Sequence, residues 1–153
     1  MEGRALAQRY AESHQAPWDW ELMRSLVHPD YVEEWPQSGE RIRGFENKRA
    51  ILENYPSGLP ESGLGTRRIV GSDDRDIYAP SLAAPVAFFA VLRVVGSGDT
   101  YTFEGTARYQ TGEPMHVVAI IEIRDGKVWR QTTYFAAPFE APEWRSQWVE
   151  RMS

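Results

Sequence analysis

Short turns separate five β-prone segments in the second half of the chain, and this pattern restricts the possible folds more than any other feature. Asp125 and Gly126 stand between two strongly apolar runs, which is the sequence signature of a two-residue hairpin. Because connections this short join antiparallel neighbours, an antiparallel meander is predicted. The Ala- and Pro-rich residues 76–85 are predicted to be a surface loop. The predicted strands cover residues 66–71, 86–95, 100–109, 115–124 and 128–135.

Two amphipathic helices are predicted at the start of the chain. In residues 2–13 the apolar positions are spaced mostly three and four apart, as in a helix with one buried stripe, and Pro17 is predicted to close it. Asp19 is predicted to be the N-cap of a short second helix over residues 20–26. This helix is expected to end before His28-Pro29, because the residue before a proline resists the helical conformation.

A strand, a third helix and a C-terminal helix complete the prediction. Residues 31–35 are β-prone and are stopped by Pro36. The third helix is predicted to follow Gly44 and to end near Tyr55, with a buried side that carries Phe45, Ala50, Ile51 and Leu52. Residues 143–152 are predicted to form a terminal helix. Three helices followed by a meander predict an α+β domain with helices on one face of the sheet and a cavity between the layers.

Composition excludes several functional classes. The 22 acidic and 17 basic residues give a net charge of -5 with no basic stripe, which disfavours a nucleic-acid partner. The absence of cysteine removes disulfides and thiolate chemistry. Three histidines without a spaced acidic cluster predict no metal site. No apolar run is long enough for a bilayer, so one cytoplasmic domain over residues 1–153, without a membrane partner, is expected.

Several motifs resemble those of the SnoaL-like branch of the nuclear transport factor 2-like (NTF2-like) superfamily, over nearly the whole chain. They are the order of elements, the His28-Pro29-Asp30-Tyr31 segment, the Arg43-Gly44 step into the third helix and the hairpin at 124–128. Residues 134–145 further resemble a mostly uncharacterised bacterial group. The resemblance implies a cone-shaped α+β fold, with three N-terminal helices against a curved, mostly antiparallel sheet of about six strands. It also implies a pocket for a small apolar or polyketide-like molecule, no cofactor, and a homodimer formed through the sheet.

Enzymes of this superfamily carry acids at positions where this chain is apolar. By resemblance, the base of ketosteroid isomerases would fall at Trp35 and their second acid near Ala119. The acid that epoxide hydrolases place after a Tyr-Phe pair would fall at Ala136. A direct transfer of those mechanisms therefore fails, because three proton-handling positions are missing.

Glu33 is the first candidate catalytic residue. Strand alternation places it on the same side as Trp35, and a carboxylate walled by Trp and Tyr would have its pKa raised by desolvation. Such a group could abstract a proton or activate water at neutral pH. The alternative is that Glu33 and Glu34 form a solvated face beside a buried Trp.

His116 is the second candidate, at the start of the most apolar strand. As a base it would need a carboxylate partner, and Glu104 on the preceding strand is a candidate by hairpin register. Alternatively, His116 forms an exposed cross-strand pair with Glu104 or Glu122 on the outer face. The other two histidines are interpreted structurally, His28 as a helix C-terminal residue and His14 as a polar surface residue.

The aromatic residues are more numerous than a core of this size commonly uses, which favours a lined pocket, although each one alone fits an ordinary core. Strand alternation places Gln131 on the side of Trp129 and Phe135 if no bulge intervenes. Arg43 could hold an anionic substituent, or pair with Glu40 or Glu46. The predicted ligand-binding residues are Trp20, Tyr31, Trp35, Arg43, Tyr55, Ala119, Trp129, Gln131 and Phe135.

Two functional hypotheses follow from these residues. The first is a cofactor-free enzyme that acts on a small hydrophobic or polyketide-like molecule by proton transfer or water addition, with Glu33 or His116 as base. The second is a non-catalytic binding or dimerisation module, which the missing acids favour. The orientation of Glu33 and His116 relative to the pocket discriminates between the two.

Overall fold

The structure is a computed structural model that describes residues 2–15, 18–55, 66–71, 74–80, 89–107 and 115–152, with backbone alone at 66–71 and 79–80. The helices are α1 (Gly3–Ser13), α2 (Trp20–Leu26) and α3 (Phe45–Glu53), and a 3-10 helix covers Glu143–Trp148. The strands are β1 (Val27–Trp35), β2 (Glu40–Arg43), β3 (Thr66–Gly71), β4 (Arg75–Pro80), β5 (Phe89–Ser97), β6 (Thr100–Ala107), β7 (Met115–Arg124) and β8 (Lys127–Ala136).

The first two helices form as the sequence predicts. α1 packs against β5, β6 and β8 through one buried stripe. The side chain of Asp19 accepts a hydrogen bond from the Leu22 amide at 3.0 Å, which confirms the predicted N-cap of α2. The buried stripe of α1 comprises Leu6, Ala7, Tyr10, Ala11 and Ser13.

In the described residues, eight strands form one curved sheet in the order β2-β1-β8-β7-β6-β5-β4-β3. Every neighbouring pair is antiparallel except β1 and β8, which are parallel. The predicted meander and the α+β class are confirmed. Asp125 and Gly126 have φ of 53° and 70°, the left-handed pair that a tight hairpin between twisted strands requires.

The sheet has two more strands than the predicted six. Residues 40–43 form β2, and β4 covers the first part of the segment 76–85 that was expected to be a surface loop. This strand pairs with β3 and β5. Tyr78 is buried, and the fully buried Asp76 lies 3.1 Å from the Arg4 guanidinium. β1 also begins earlier than predicted and includes His28 and Pro29, at an irregularity in its pairing with β8 that accommodates the proline.

The buried side of α3 differs from the prediction. Phe45 and Lys48 are buried, whereas Ala50 is exposed and Ile51 is 37% exposed. Lys48 lies one turn after Phe45 and therefore on the same face of the helix. The C-terminal segment forms a 3-10 helix without buried residues in place of the predicted terminal helix.

Some predicted features lie outside the described residues. They are the closing Pro17, residues 81–85 of the predicted loop, the start of the strand at 86–95 and the end of the strand at 100–109. Within the described part of the chain, no helix is long and apolar enough to cross a membrane.

Candidate functional site

A cavity of about 780 Å³ lies against the inner side of the sheet and α3. This volume is within the range of small-molecule sites in proteins. Most of its wall is aromatic or aliphatic, and a few polar side chains interrupt it. Among the described residues, the apolar wall includes Trp18, Trp35, Phe89, Phe103, Val117 and Phe135.

The strand register places the polar residues of the cavity side by side. The parallel pairing of β1 with β8 aligns Glu33 with Gln131. The antiparallel pairing of β7 with β8 aligns Ala119 with Thr133. Glu33, Gln131 and Thr133 are all buried and line the cavity. Two-residue periodicity along β8 gives Gln131 and Thr133 the same inward face.

The Glu33 carboxylate accepts four hydrogen bonds. Its Oε1 accepts from Tyr31 Oη at 2.7 Å and from Lys48 Nζ at 2.9 Å. Its Oε2 accepts from Trp35 Nε1 at 2.7 Å and from Thr133 Oγ1 at 3.0 Å. These donors come from β1, α3 and β8, so the carboxylate joins three elements at the cavity wall.

Lys48 is the cation of the site, and its ammonium group uses all three of its protons. It donates to Glu33 Oε1, to Tyr10 Oη at 3.0 Å and to Tyr31 Oη at 3.0 Å. The ammonium lies 5.3 Å from the centre of each tyrosine ring. The side chains of Lys48 and Glu33 are each only 6% exposed. The cost of burying each charge is therefore offset by direct pairing and hydrogen bonds.

Gln131 completes the network and fixes its proton arrangement. Its Oε1 accepts from Tyr10 Oη at 2.5 Å, and its Nε2 donates to Thr133 Oγ1 at 2.8 Å. Thr133 then donates onward to Glu33. We refer to Tyr10, Tyr31, Glu33, Trp35, Lys48, Gln131 and Thr133 as the Glu33–Lys48 network.

The network holds an ionised pair between neutral tyrosines. Burial alone would raise the pKa of Glu33, but the positive charge of Lys48 and hydrogen bonds from Tyr31, Lys48 and Trp35 lower it to about 2. Burial opposes the charge of Lys48, yet Glu33 raises the Lys48 pKa. Burial raises the pKa of Tyr10 and Tyr31. The predicted rise in the Glu33 pKa is therefore wrong, because its donors outweigh desolvation.

His14 also lines the cavity, next to Trp18 and Phe89, so its interpretation as a surface residue is wrong. It follows α1 directly and continues the buried stripe, because it lies four residues after Tyr10. Its Nδ1 lies 2.7 Å from the Tyr10 carbonyl oxygen. Burial and the charge of Lys48 lower the pKa of His14 to about 3.

Six residues predicted for the site line the cavity. They are Glu33, Trp35, Tyr55, Ala119, Gln131 and Phe135. The rings of Trp35 and Phe135 meet edge to face, with centroids 5.6 Å apart. Tyr31 is 1% exposed and lies behind Glu33, where its hydroxyl belongs to the network.

His116 lies on the outer face of the sheet. It is exposed, whereas its neighbour Val117 points inward and is buried. In the strand register, His116 aligns with Thr106 and not with Glu104. The Glu104 carboxylate instead accepts a hydrogen bond from Arg93 Nε at 2.8 Å. The predicted His116–Glu104 pair is therefore wrong, and His116 is separated from the cavity by the sheet.

Three further predicted residues lie in other surroundings. Trp129 lies at a pairing irregularity between β7 and β8, so it does not share the inward face of Gln131. Its ring lies against the Arg124 and Arg130 guanidiniums, 4.4 Å and 4.9 Å from its centroid. Trp20 packs beside Trp18 and under Arg49. Arg43 is exposed and borders a separate cleft formed with residues 24, 27–29 and 44–47.

The sequence interpretation did not include Tyr10, Lys48, Thr133 and His14 among the site residues. Helical periodicity contains the signal for three of them: Tyr10 and His14 extend the stripe of Ala7, and Lys48 follows Phe45 at the next turn. By composition, a lysine between Asn47 and Arg49 indicates a solvated face, although Lys48 is buried. Among the described residues, no group of three or more His, Asp or Glu side chains could hold a metal ion.

The chain is similar to several solved structures over most of its length. An NTF-2 like protein of unknown function from Burkholderia xenovorans LB400 is 31% identical, with 98% of this chain and 94% of that chain covered and a TM-score of 0.69. A candidate ketosteroid isomerase from Kribbella flavida DSM 17836 is 23% identical, with 99% and 90% covered and a TM-score of 0.70. TerC, crystallised with polyporic acid, is 19% identical, with 87% and 90% covered and a TM-score of 0.57. No protein-family model and no curated protein matches the chain.

Proposed function

This chain belongs to the NTF2-like family, and from that premise we propose that it binds a small, largely apolar molecule in the cavity beside the Glu33–Lys48 network. The observation that carries the proposal is the cavity itself, about 780 Å³ with mostly apolar walls and a network of connected polar groups. Further polar side chains in its lining are His14, Gln37, Ser38, Glu40 and Asn54. This combination is characteristic of small-molecule sites. TerC, which shares the fold, was crystallised with the small molecule polyporic acid.

The charge of the network favours a neutral ligand. Glu33 and Lys48 cancel each other, and the tyrosines beside them are kept neutral by their raised pKa. A charged ligand group would lose its hydration on entry without meeting an unpaired counter-charge in this network. Apolar contact with the walls therefore supplies most of the expected affinity.

Recognition is a better role for Glu33 than proton abstraction. A general base needs a pKa near the working pH and an accessible lone pair. The Glu33 carboxylate already accepts four hydrogen bonds, and its pKa is lowered to about 2. By the resemblance to enzymes of this superfamily, the positions of their acids fall at Trp35, near Ala119 and at Ala136, which are all apolar in this chain. These features support a binding module over an acid–base enzyme that uses Glu33.

A fluorescence titration with pyrene tests the proposal, because this hydrocarbon probes apolar binding alone. The wild type is expected to bind pyrene saturably, with one site per chain. Ala119→Phe fills the cavity from the middle of β7 and should abolish binding, since Ala119 is 1% exposed and lines the wall. Val118→Phe adds similar bulk on the outer face, where Val118 is 36% exposed, and should leave binding unchanged.

A second variant covers the case in which Ala119→Phe fails to fold. Ile51 lines the cavity but is 37% exposed, so Ile51→Asp should be tolerated and should weaken pyrene binding by placing a charge at the wall. Absence of saturable binding by the wild type, or equal binding by both cavity variants, would contradict the proposed function.

A further inference from the structure

Glu40 lies where the cavity opens to solvent, on the inward face of β2. Ile42 of the same strand is buried and lines the cavity. Glu40 precedes it by two residues, so strand alternation gives it the same face, and it also lines the cavity. Unlike Ile42, Glu40 is exposed. A molecule in the cavity can therefore reach this carboxylate at the mouth.

The register of β1 and β2 brings an aromatic ring next to Glu40. Trp35 is the antiparallel partner of Glu40, and Glu33 is the partner of Ile42. Directly opposite residues of such strands have Cβ atoms roughly 5 Å apart. The Trp35 indole lines the cavity, and its Nε1 donates to Glu33 Oε2 at 2.7 Å, which holds the ring in place. A carboxylate beside a fixed indole attracts a cation by its charge and through the face of the ring.

Glu40 also leaves the charge of the cavity lining unbalanced. Among the described residues, the lining contains the charged groups Glu33, Lys48 and Glu40, whereas burial lowers the pKa of His14 to about 3 and keeps it neutral. Glu33 and Lys48 neutralise each other. Within the described part of the chain, the Glu40 side chain forms no ion pair or hydrogen bond. The described lining therefore has one uncompensated negative charge, and it lies at the mouth.

The C-terminal end of α3 adds to the negative field at the same cavity. This last turn contains no basic residue, and a helix C-terminus carries a partial negative charge that favours a nearby cation. The neighbouring charged pair, Arg49 and Glu53, is closed on itself at 2.6 Å. The residues from this end of α3 that line the cavity are Ile51, Leu52, Asn54 and Tyr55.

We propose that the mouth of the cavity binds an ammonium group of the ligand through Glu40, which makes the ligand an apolar molecule with one amine at its outer end. This inference rests on the proposed function, since it assigns the outer part of the same site. The Glu33–Lys48 network, neutral as a whole, still meets the inner, uncharged part of the molecule. An ammonium group at the mouth keeps part of its hydration and so avoids the cost of a charge buried in the interior. An anionic group there would be repelled by Glu40.

Three matched probes separate the charge contact from apolar binding. Pyrene reports the cavity, 1-pyrenemethanol adds a neutral polar group, and 1-pyrenemethylamine adds a group of nearly the same size that is positively charged at neutral pH. In fluorescence titrations at low ionic strength, the wild type should bind the amine about fivefold more tightly than the alcohol, the effect of one exposed ion pair with a ring contact. About 0.5 M NaCl should reduce this preference, because salt screens exposed charges.

Charge substitutions locate the contact at Glu40. Glu40→Gln keeps the size of the side chain and removes its charge, so it should bind the amine and the alcohol equally. Glu122→Gln makes the same change on the outer face of β7, between the buried Ile121 and Ile123, and should keep the fivefold preference. Glu40→Lys covers the case in which Glu40→Gln fails to fold. It should bind the amine more weakly than the wild type does and 1-pyrenecarboxylate more tightly.

The outcomes distinguish the role of Glu40 from the proposed function. If the wild type binds pyrene but does not prefer the amine to the alcohol, or if Glu40→Gln keeps the preference, the role of Glu40 is wrong while the proposed function stands. If the wild type binds none of the probes, the proposed function fails as well.

Discussion

Lys48 and Glu33 form a buried ion pair whose partners depend on each other for their charge. The two side chains are each 6% exposed, and their charged atoms are 2.9 Å apart. We predict that Lys48→Met destabilises the protein by about 3–5 kcal/mol, because it leaves the Glu33 carboxylate buried without a counter-charge. Urea denaturation of the variant and the wild type measures this difference.

A double variant provides the control for the ion pair. Glu33→Gln with Lys48→Met removes both charges and keeps a hydrogen-bonding side chain at position 33. Its loss of stability should be smaller than the sum of the two single losses by about 1–3 kcal/mol, because each single variant leaves a lone buried charge and the double variant leaves none. Additive losses would show that the two residues do not interact in the folded protein.

His14 and Glu33 are predicted to make the stability fall as the pH drops. His14 has a folded pKa of about 3 against an ordinary 6.5, so the unfolded chain binds more protons below pH 6.5. Its stabilising contribution is complete above pH 6.5 and is lost as the pH falls toward 3. Glu33, with a pKa of about 2 against 4.5, contributes fully above pH 4.5 and loses that contribution as the pH falls toward 2.

The two groups can be separated by the pH range in which they act. Of these two groups, His14 contributes most of the change between roughly pH 6 and 5, with a slope approaching about 1.4 kcal/mol per pH unit. Urea denaturation across this range should show that slope as the difference between the wild type and His14→Phe. An equal slope in both proteins would contradict the assignment.

Much of the site could be predicted at the level of single residues, and the missing part has a physical reason. Glu33 and Trp35 follow from strand alternation and are found on one face. Lys48 does not follow from composition, because a buried lysine needs a distant carboxylate that the local sequence does not reveal. The four donors that lower the Glu33 pKa likewise come from three different elements.

At the level of elements, α2 depends on its N-cap. It has seven residues, too few to be stable on its own, and the Asp19 carboxylate accepts the Leu22 amide. Asp19→Ala should cost about 1 kcal/mol in the free energy of unfolding, whereas Asp19→Asn keeps the acceptor and should cost only a few tenths. Thermal melting of both variants tests this, and equal losses would contradict a capping role.

Element boundaries were predictable where local chemistry determines them. The Asp125–Gly126 turn and the Asp19 cap follow from short-range backbone preferences and are found as predicted. The irregularity at Trp129 does not follow, because pairing between β7 and β8 shifts only once both strands are in place. β4 does not follow from local chemistry, because the alanines and prolines of residues 76–85 indicate a loop, whereas the position of β4 between β3 and β5 is a tertiary effect.

At the scale of the whole molecule, we predict a homodimer formed through the outer face of the sheet. Val118 and Tyr134 are register partners on that face and are 36% and 42% exposed, which provides an apolar patch. Tyr134→Glu should convert the dimer to a monomer in sedimentation velocity while leaving pyrene binding intact, because the patch and the cavity lie on opposite faces. A wild-type monomer at micromolar concentration would contradict this prediction.

The fold could be predicted from the whole chain, whereas the function could not, for a reason that lies in the fold itself. Helix and strand periodicity, short turns and the motif order specify the α+β architecture. The chemistry depends on which side chains face the cavity, and a single bulge or an unexpected buried lysine changes that set. A family whose members differ in these inward positions shares its architecture without sharing an activity.

The crystal structure of the complex with pyrene tests the central claim most directly. The proposed function predicts the ring system inside the cavity, between Trp35, Phe103 and Phe135. An empty cavity in crystals grown at saturating probe, or a probe bound only to the outer surface, would contradict the account as a whole.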